Sequence, residues 1–204
     1  DRILMSACHK FSSFRSLACA LVLASAFAVV DTREVSADSA VRRHALLALK
    51  ILSYNRSFGK RDQRSFVFGI AHDDPDASER AARRLLAAFA QLSRFKVKGM
   101  AFRTTLLPFK SADHFAEICR KRGVAALFVA GGFAKEQFVS DIAAVARKQR
   151  LPSVTREAAY LKRGIAIALV QDGSRQRILV NLTHAKAQGM ALKAELLSLA
   201  KVSH

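Results

Sequence analysis

The chain has 204 residues, 51% of them hydrophobic and 25% charged. This apolar share excludes an intrinsically disordered chain, and the length suffices for one domain with its own core. The formal net charge of +18 suggests nucleic acid, anionic lipid or another acidic polymer as a partner. The basic residues are nevertheless spread along the chain. The groups at 120–122 and 147–150 fall at predicted helix ends, where cations complement the helix dipole.

Residues 1–37 have the pattern of a signal peptide. Met5 is the natural start that we predict, and Lys10 and Arg15 follow it without an acidic neighbour. The apolar run at 17–30 is the length of a signal-peptide core and is short for a membrane span. Small residues suited to cleavage end at Ala28 and Ala37, and we favour the second. An uncleaved membrane anchor is the alternative.

The predicted export affects which cysteines remain and which partners are expected. Cys8 and Cys19 fall within the predicted signal peptide, so Cys119 remains alone and no disulfide can form within the exported domain. Its apolar neighbours predict a buried structural thiol. A periplasmic location also argues against nucleic acid as the partner and leaves an anionic envelope surface as a possible one.

Helix and strand patterns alternate from residue 40 onward. The spacing of apolar residues predicts helices at 40–54, 76–92, 112–122 and 134–149, and buried strands at 65–71, 101–107, 124–130 and 152–155. Strand-like runs at 164–170 and 177–182, separated by Asp172-Gly173-Ser174, predict a β-hairpin, and a last helix is predicted at 190–202. The expected fold of residues 38–204 is a single three-layer α/β domain. It has a mainly parallel sheet, helices on both faces and an antiparallel hairpin at one edge.

The best candidate for a ligand site is the carboxyl edge of this sheet. Ligands bind at that edge in open α/β folds. The residues that fall there are His72, Asp73, Asp74, Gly131, Gly132, Thr155 and Arg156. The acidic group also suits a strand-to-helix turn and matches no calcium loop, so we predict neither a metal nor a cofactor. Gly131-Gly132 lacks the full phosphate-loop and dinucleotide patterns, which favours a tight turn over an anion site.

Motifs for catalysis are missing from the sequence. The serines lack a Gly-x-Ser-x-Gly setting, and no pair of histidines has zinc-ligand spacing. We therefore expect a binding protein and not an enzyme.

The carboxyl-terminal third carries a family resemblance. Its motifs are Val180-Asn181-Leu182, Ala185-Lys186-Ala187-Gln188-Gly189 and Leu196-Leu197-Ser198-Leu199-Ala200-Lys201-Val202. Together with Ala48-Leu49-Lys50-Ile51-Leu52-Ser53-Tyr54, they resemble the YfiR-type family of exported bacterial proteins. The resemblance implies a periplasmic α/β domain. It also implies restraint of a membrane-bound diguanylate cyclase from the periplasmic side, which lowers cyclic di-GMP signalling. Some members carry cysteine pairs, whereas this chain retains Cys119 alone.

Two functions follow as hypotheses. The first is an exported regulatory protein of the cell envelope that contacts the periplasmic part of a membrane-bound signalling protein. The alternative is a periplasmic solute-binding domain that uses the carboxyl edge of the sheet for a small ligand.

Overall fold

The computed structural model describes residues 39–59, 64–73, 76–172 and 175–204. The predicted signal peptide, residues 1–37, lies outside the described residues, and so does Asp74. Helix α1 covers residues 39–54. The elements after it are β1 (Ser65–His72), α2 (Asp76–Ala90), β2 (Ala101–Pro108), α3 (Ala112–Lys121), β3 (Val124–Val129), α4 (Glu136–Gln149), β4 (Ser153–Thr155), a 3₁₀ helix (Ala158–Arg163), β5 (Ile167–Asp172), β6 (Arg175–Asn181), α5 (Leu182–Ala187), α6 (Ala194–Leu199) and β7 (Ala200–Ser203).

The strands form one sheet in the order β2-β1-β3-β4-β5-β6-β7. Neighbouring strands from β2 to β5 are parallel, β5 and β6 are antiparallel, and β7 runs parallel to β6. The predicted α/β fold with a mainly parallel sheet and a carboxyl-terminal hairpin is therefore confirmed. One further strand, β7, follows the hairpin and pairs with β6 at the end of the sheet.

Two apolar clusters cover the two faces of the sheet. On one face, residues of α1, α2 and α6 belong to one apolar cluster with alternate residues of β1 such as Phe66, Phe68 and Ile70. On the other, α3 and α4 pack against Leu127, Val129 and their neighbours. Alternation along each strand sends successive side chains to opposite faces, so a strand buried on both sides is apolar throughout.

The helices lie on opposite faces because the chain reverses direction along the sheet. From β1 it moves through α2 to β2, and from β2 it returns through α3 past β1 to β3. Right-handed crossovers in opposite directions place their helices on opposite faces. The helices that follow the adjacent strands β1 and β3 thus diverge, which opens a crevice at the carboxyl ends of these two strands.

The prediction of one helix from 190 to 202 is wrong. Helix α6 ends at Leu199, and Ala200 has extended backbone angles, φ −103° and ψ 148°. Residues 200–203 pair with β6 over four positions. The open edge of β6 supplies main-chain partners for this segment, and sheet hydrogen bonds there replace the last helical turn.

Candidate functional site

The carboxyl ends of β1, β3 and β4 lie side by side because these strands are adjacent and parallel. They bring six of the seven predicted site residues to one edge of the sheet: His72, Asp73, Gly131, Gly132, Thr155 and Arg156. The crevice between the ends of β1 and β3 is the position at which α/β sheets bind ligands. The pairing of β1 and β3 continues one residue past the end of β3, since Ala130 N–H donates to Ala71 O at 3.0 Å.

Asp73 is buried at this edge of the sheet. Its side chain is 1% exposed, and its Oδ2 accepts a hydrogen bond of 2.8 Å from Ala134 N–H in the loop after β3. Its own N–H donates to Ser78 Oγ of α2 at 3.3 Å. The other carboxylate oxygen, Oδ1, is buried and has no hydrogen-bond partner among the described residues. A buried acceptor without a partner is costly, and a donor from a ligand would satisfy it.

The glycine-rich loop after β3 packs tightly on α2. Gly132 has φ +82°, and a Cβ built on it would lie 3.3 Å from Ala77 Cβ. The next amide, Phe133 N–H, donates to the Tyr160 hydroxyl at 3.3 Å. Helix α4 begins only at Glu136. The amides of Phe133 and Ala134 are therefore engaged by protein groups, which favours the tight-turn interpretation of Gly131-Gly132 over an anion cradle.

Two ionisable residues at this edge, Glu157 and Tyr160, were not predicted from the sequence. A Cβ built on Gly131 would lie 2.4 Å from Glu157 Oε1, so the Glu157 side chain covers that glycine. Burial raises the pKa of the Tyr160 hydroxyl, and the charges of Glu157 and Asp73 raise it further. Both residues follow the carboxyl end of β4, so the rule that selected Thr155 could have included them. We call Asp73, Gly131, Gly132, Glu157 and Tyr160 the carboxyl-edge cluster.

The remaining predicted residues have structural roles or lie nearer the surface. Thr155 is fully buried; its Oγ1 donates to Val129 O at 3.0 Å and accepts from Glu157 N–H at 3.2 Å. His72 is buried, with Nδ1 3.1 Å from Asp73 O. Arg156 is partly exposed. Among the buried side chains of this set, Asp73 is the one that has an atom without a hydrogen-bond partner in the described residues.

The chemistry of the edge suits binding. In the described ranges, no group of three or more His, Cys, Asp or Glu side chains could hold a metal ion. Cys119 is buried as predicted, and burial raises its pKa to about 12, which keeps the thiol protonated at neutral pH. An acidic cluster with one acceptor that no described residue uses fits a ligand that donates hydrogen bonds or carries a positive charge.

Two cavities elsewhere were not predicted. One of about 530 Å³ opens at the amino ends of β3 and β4, beside Val124, Arg150 and Pro152. Another of about 270 Å³ lies between α4, the 3₁₀ helix and α5, beside Arg147, Lys162 and His184. Their lining combines residues far apart in sequence, for which the sequence carries no local signal.

The model of the YfiR/HmsC-like family matches residues 44–201. Members of this family are periplasmic regulators. The chain matches no curated protein at a significant level. None of the helices in the described part of the chain is long and apolar enough to cross a membrane.

Solved structures share the fold at low identity. A conserved domain protein from Vibrio cholerae is 12% identical with a TM-score of 0.55, and the alignment covers 80% of this chain and 60% of that one. The ABC domain of Streptococcus pneumoniae in complex with L-Trp is 11% identical with a TM-score of 0.55, with 79% and 61% covered. An open, ligand-free substrate-binding protein with adhesive properties from Clostridium difficile is 10% identical with a TM-score of 0.51, with 68% and 54% covered. The chain thus spans little more than half the length of these proteins, and the likeness shows the fold alone.

Proposed function

Because the chain belongs to the YfiR/HmsC-like family, we propose that it is an exported, non-enzymatic regulatory protein that binds the periplasmic part of a membrane-bound signalling protein. The observation that carries this proposal is the family match over residues 44–201, which also confirms the resemblance drawn from the sequence. A diguanylate cyclase is the partner that the resemblance implies. Export through cleavage of residues 1–37 is part of the proposal.

The end of the sheet formed by β7 supports such a contact. Leu199 is 71% exposed and Val202 is 36% exposed, and both are large apolar side chains. Strand β7 pairs with β6 on one side and lies last in the sheet order, so its outer edge presents main-chain donors and acceptors. Exposed apolar groups beside an open strand edge are a common basis for partner binding. We place the partner contact at Leu199 and β7.

Crosslinking in intact cells tests this function. The full chain with a tag would be compared with Leu199→Asp and with Ala101→Asp, an exposed residue on β2 at the opposite edge of the sheet. We expect the wild type and Ala101→Asp to capture a membrane-bound cyclase or sensor from its periplasmic side. Leu199→Asp should lose most of that capture, because a charge would be desolvated at the contact.

The cellular signal is the second measurement. Deleting the gene should raise cyclic di-GMP, and the wild type and Ala101→Asp should lower it again while Leu199→Asp should not. Capture of a transporter permease, or unchanged cyclic di-GMP after deletion, would contradict the regulatory function.

A second candidate function rests on Asp73. Its buried Oδ1 without a described partner supports binding of a small amine-bearing solute at the carboxyl edge, as expected of a solute-binding domain. Thermal unfolding with a panel of amino acids and polyamines tests this. A ligand should raise the melting temperature of the wild type and of Asp141→Asn, but not of Asp73→Asn. If every stabilising amine acts equally on all three proteins, solute binding at this edge is excluded.

A further inference from the structure

A basic cavity of about 270 Å³ lies on the face of the sheet covered by α4. Helix α4 contributes Ser140 and Arg147, the 3₁₀ helix contributes Lys162, and α5 contributes His184. Gln188, which also lines the cavity, follows the last residue of α5. Ser140 and Arg147 are seven residues apart, which places them on one side of α4. Three separate elements therefore direct polar side chains into one space.

The floor of the basic cavity is fixed by buried hydrogen bonds. Gln188 is 1% exposed; its Nε2 donates to Gly164 O at 2.9 Å, and its Oε1 accepts from Ser153 Oγ at 2.7 Å. Gly164 has φ +101°, and a Cβ built on it would lie 2.8 Å from Ala143 Cβ. Gly164, the residue after the 3₁₀ helix, therefore packs against α4 more closely than a side chain would allow, and this packing fixes one wall of the cavity. A preformed site spares a ligand the cost of ordering it.

The charged side chains that line the basic cavity are all positive. Its lining contains no Asp or Glu, and Arg163 at its rim is ion-paired with Glu136. Arg147 and Lys162 make no ion pair within the described ranges. Burial lowers the pKa of His184, and the positive charge of Arg147 lowers it further. Cations that converge without a carboxylate repel one another, and a bound anion would reverse that interaction.

We propose that the basic cavity binds a small ligand through a phosphate group. Arg147 and Lys162 donate to the phosphate oxygens from two sides, and Ser140 and His184 add donors at the wall. The Arg fork and the Lys ammonium suit a tetrahedral oxyanion, and the volume holds a phosphate with a small organic group. The lining of this cavity includes no residue of the carboxyl-edge cluster and does not include Leu199. This proposal does not depend on the proposed function.

Isothermal titration of the full chain tests the proposal in a chloride buffer of constant ionic strength. The probes are inorganic phosphate, glycerol 3-phosphate and phosphatidylcholine vesicles that contain phosphatidic acid. We expect Arg147→Gln and Lys162→Gln each to weaken binding about tenfold, because each removes a charge-assisted hydrogen bond. Lys148→Gln, on the same helix but outside the lining, should bind like the wild type. All three residues are exposed, so their replacement should leave the fold intact.

The three probes separate the sources of the phosphate group. Equal binding of inorganic phosphate and glycerol 3-phosphate, weakened in Arg147→Gln, supports recognition of the phosphate itself. Binding of vesicles alone, also weakened in Arg147→Gln, supports the same site with a lipid headgroup as its source. The proposal is overturned if no probe binds the wild type, or if Lys148→Gln weakens binding as much as Arg147→Gln does.

Discussion

Asp73 of the carboxyl-edge cluster and the cations of the basic cavity differ in charge and in burial. At the carboxyl edge, Asp73 is 1% exposed, and one of its oxygens is engaged by a main-chain amide of the loop after β3. In the basic cavity, Arg147 and Lys162 are exposed and their cations make no described ion pair. A buried ionised group must be bound by the protein, whereas an exposed one is solvated and stays available to a ligand. Asp73 is therefore engaged in part by the fold, whereas Arg147 and Lys162 stay available to a ligand.

The comparison also shows that the net charge of the chain does not locate a binding site. A surplus of +18 gives no position for a binding site. The structure concentrates three exposed cations, Arg147, Lys162 and Arg163, and His184 around one cavity without a carboxylate in its lining. At the carboxyl edge, it places Asp73 and Glu157 near Tyr160. Local arrangement, and not total charge, decides which ligand each region can accept.

Replacing Asp73 should have the largest effect on stability. Asp73→Ala removes the acceptor for Ala134 N–H and leaves that amide without its partner. We expect the free energy of unfolding to fall by about 2–3 kcal/mol, measured by urea denaturation at pH 7. Asp141→Ala, whose carboxylate accepts from an exposed Gln137 side chain, should change it by less than about 0.5 kcal/mol. Equal losses in both variants would contradict a special role for Asp73.

Gly132→Ala should have the next largest effect, and Gly99→Ala is its matched control. Both glycines have φ +82°, but a Cβ on Gly132 would contact Ala77 Cβ at 3.3 Å, whereas a Cβ on Gly99 meets nothing within 4 Å. The left-handed backbone alone should cost each variant about 1 kcal/mol. Crowding against α2 should make Gly132→Ala the less stable of the two in urea denaturation. The same loss in both would show that the loop after β3 can move away from α2.

Tyr160→Phe should alter the response to alkaline pH. The pKa of Tyr160 is raised in the folded protein, so between its ordinary value of about 10 and the folded value the native state holds more protons than the unfolded state. Stability is then lost as the pH rises through that window. Tyr160→Phe should lose less stability between pH 9 and 11 than the wild type. Tyr54→Phe, which replaces the other tyrosine, controls for general alkaline unfolding and should follow the wild type.

The smallest effect is expected in the basic cavity. Without an added anion, Arg147→Gln and Lys162→Gln should leave the free energy of unfolding within about 0.5 kcal/mol of the wild type, because exposed charges contribute little. Any change in the free energy of unfolding should be an increase, because one repulsive charge is removed. Urea denaturation in chloride buffer measures this. A loss as large as that of Asp73→Ala would show that these cations support the fold, and the contrast between the two regions would fail.

Much of the fold could be predicted because each buried element carries its own pattern. The apolar strand Ser65–His72 and the helix with Leu85 and Phe89 on one side have the periodicities of strand and helix. The switch from parallel strands to a hairpin was also visible, from two short runs around a turn. The hairpin pairs Ile167 with Val180 in antiparallel register.

The carboxyl terminus could not be predicted in the same way. Residues 190–202 have the apolar spacing of a helix, yet Ala200–Ser203 form a strand. Short segments of this kind have a weak local preference, and the open edge of β6 decides their conformation. The consequence is that Leu199 and Val202 are exposed at the end of the sheet.

The sequence by itself determined the alternation of strands and helices, the burial of Cys119 and the edge at which His72, Asp73, Gly131, Gly132 and Thr155 meet. These depend on periodicity and on the rule that parallel strands share their carboxyl edge. Only the tertiary structure decided that Asp73 bonds Ala134, that Glu157 covers Gly131, and that Arg147, Lys162 and His184 surround one cavity. These residues are far apart in the chain. Arg147 and Lys162 are separated by 15 positions, Lys162 and His184 by 22, and Asp73 and Ala134 by 61. Local patterns carry no information at that separation, because packing of whole elements sets it.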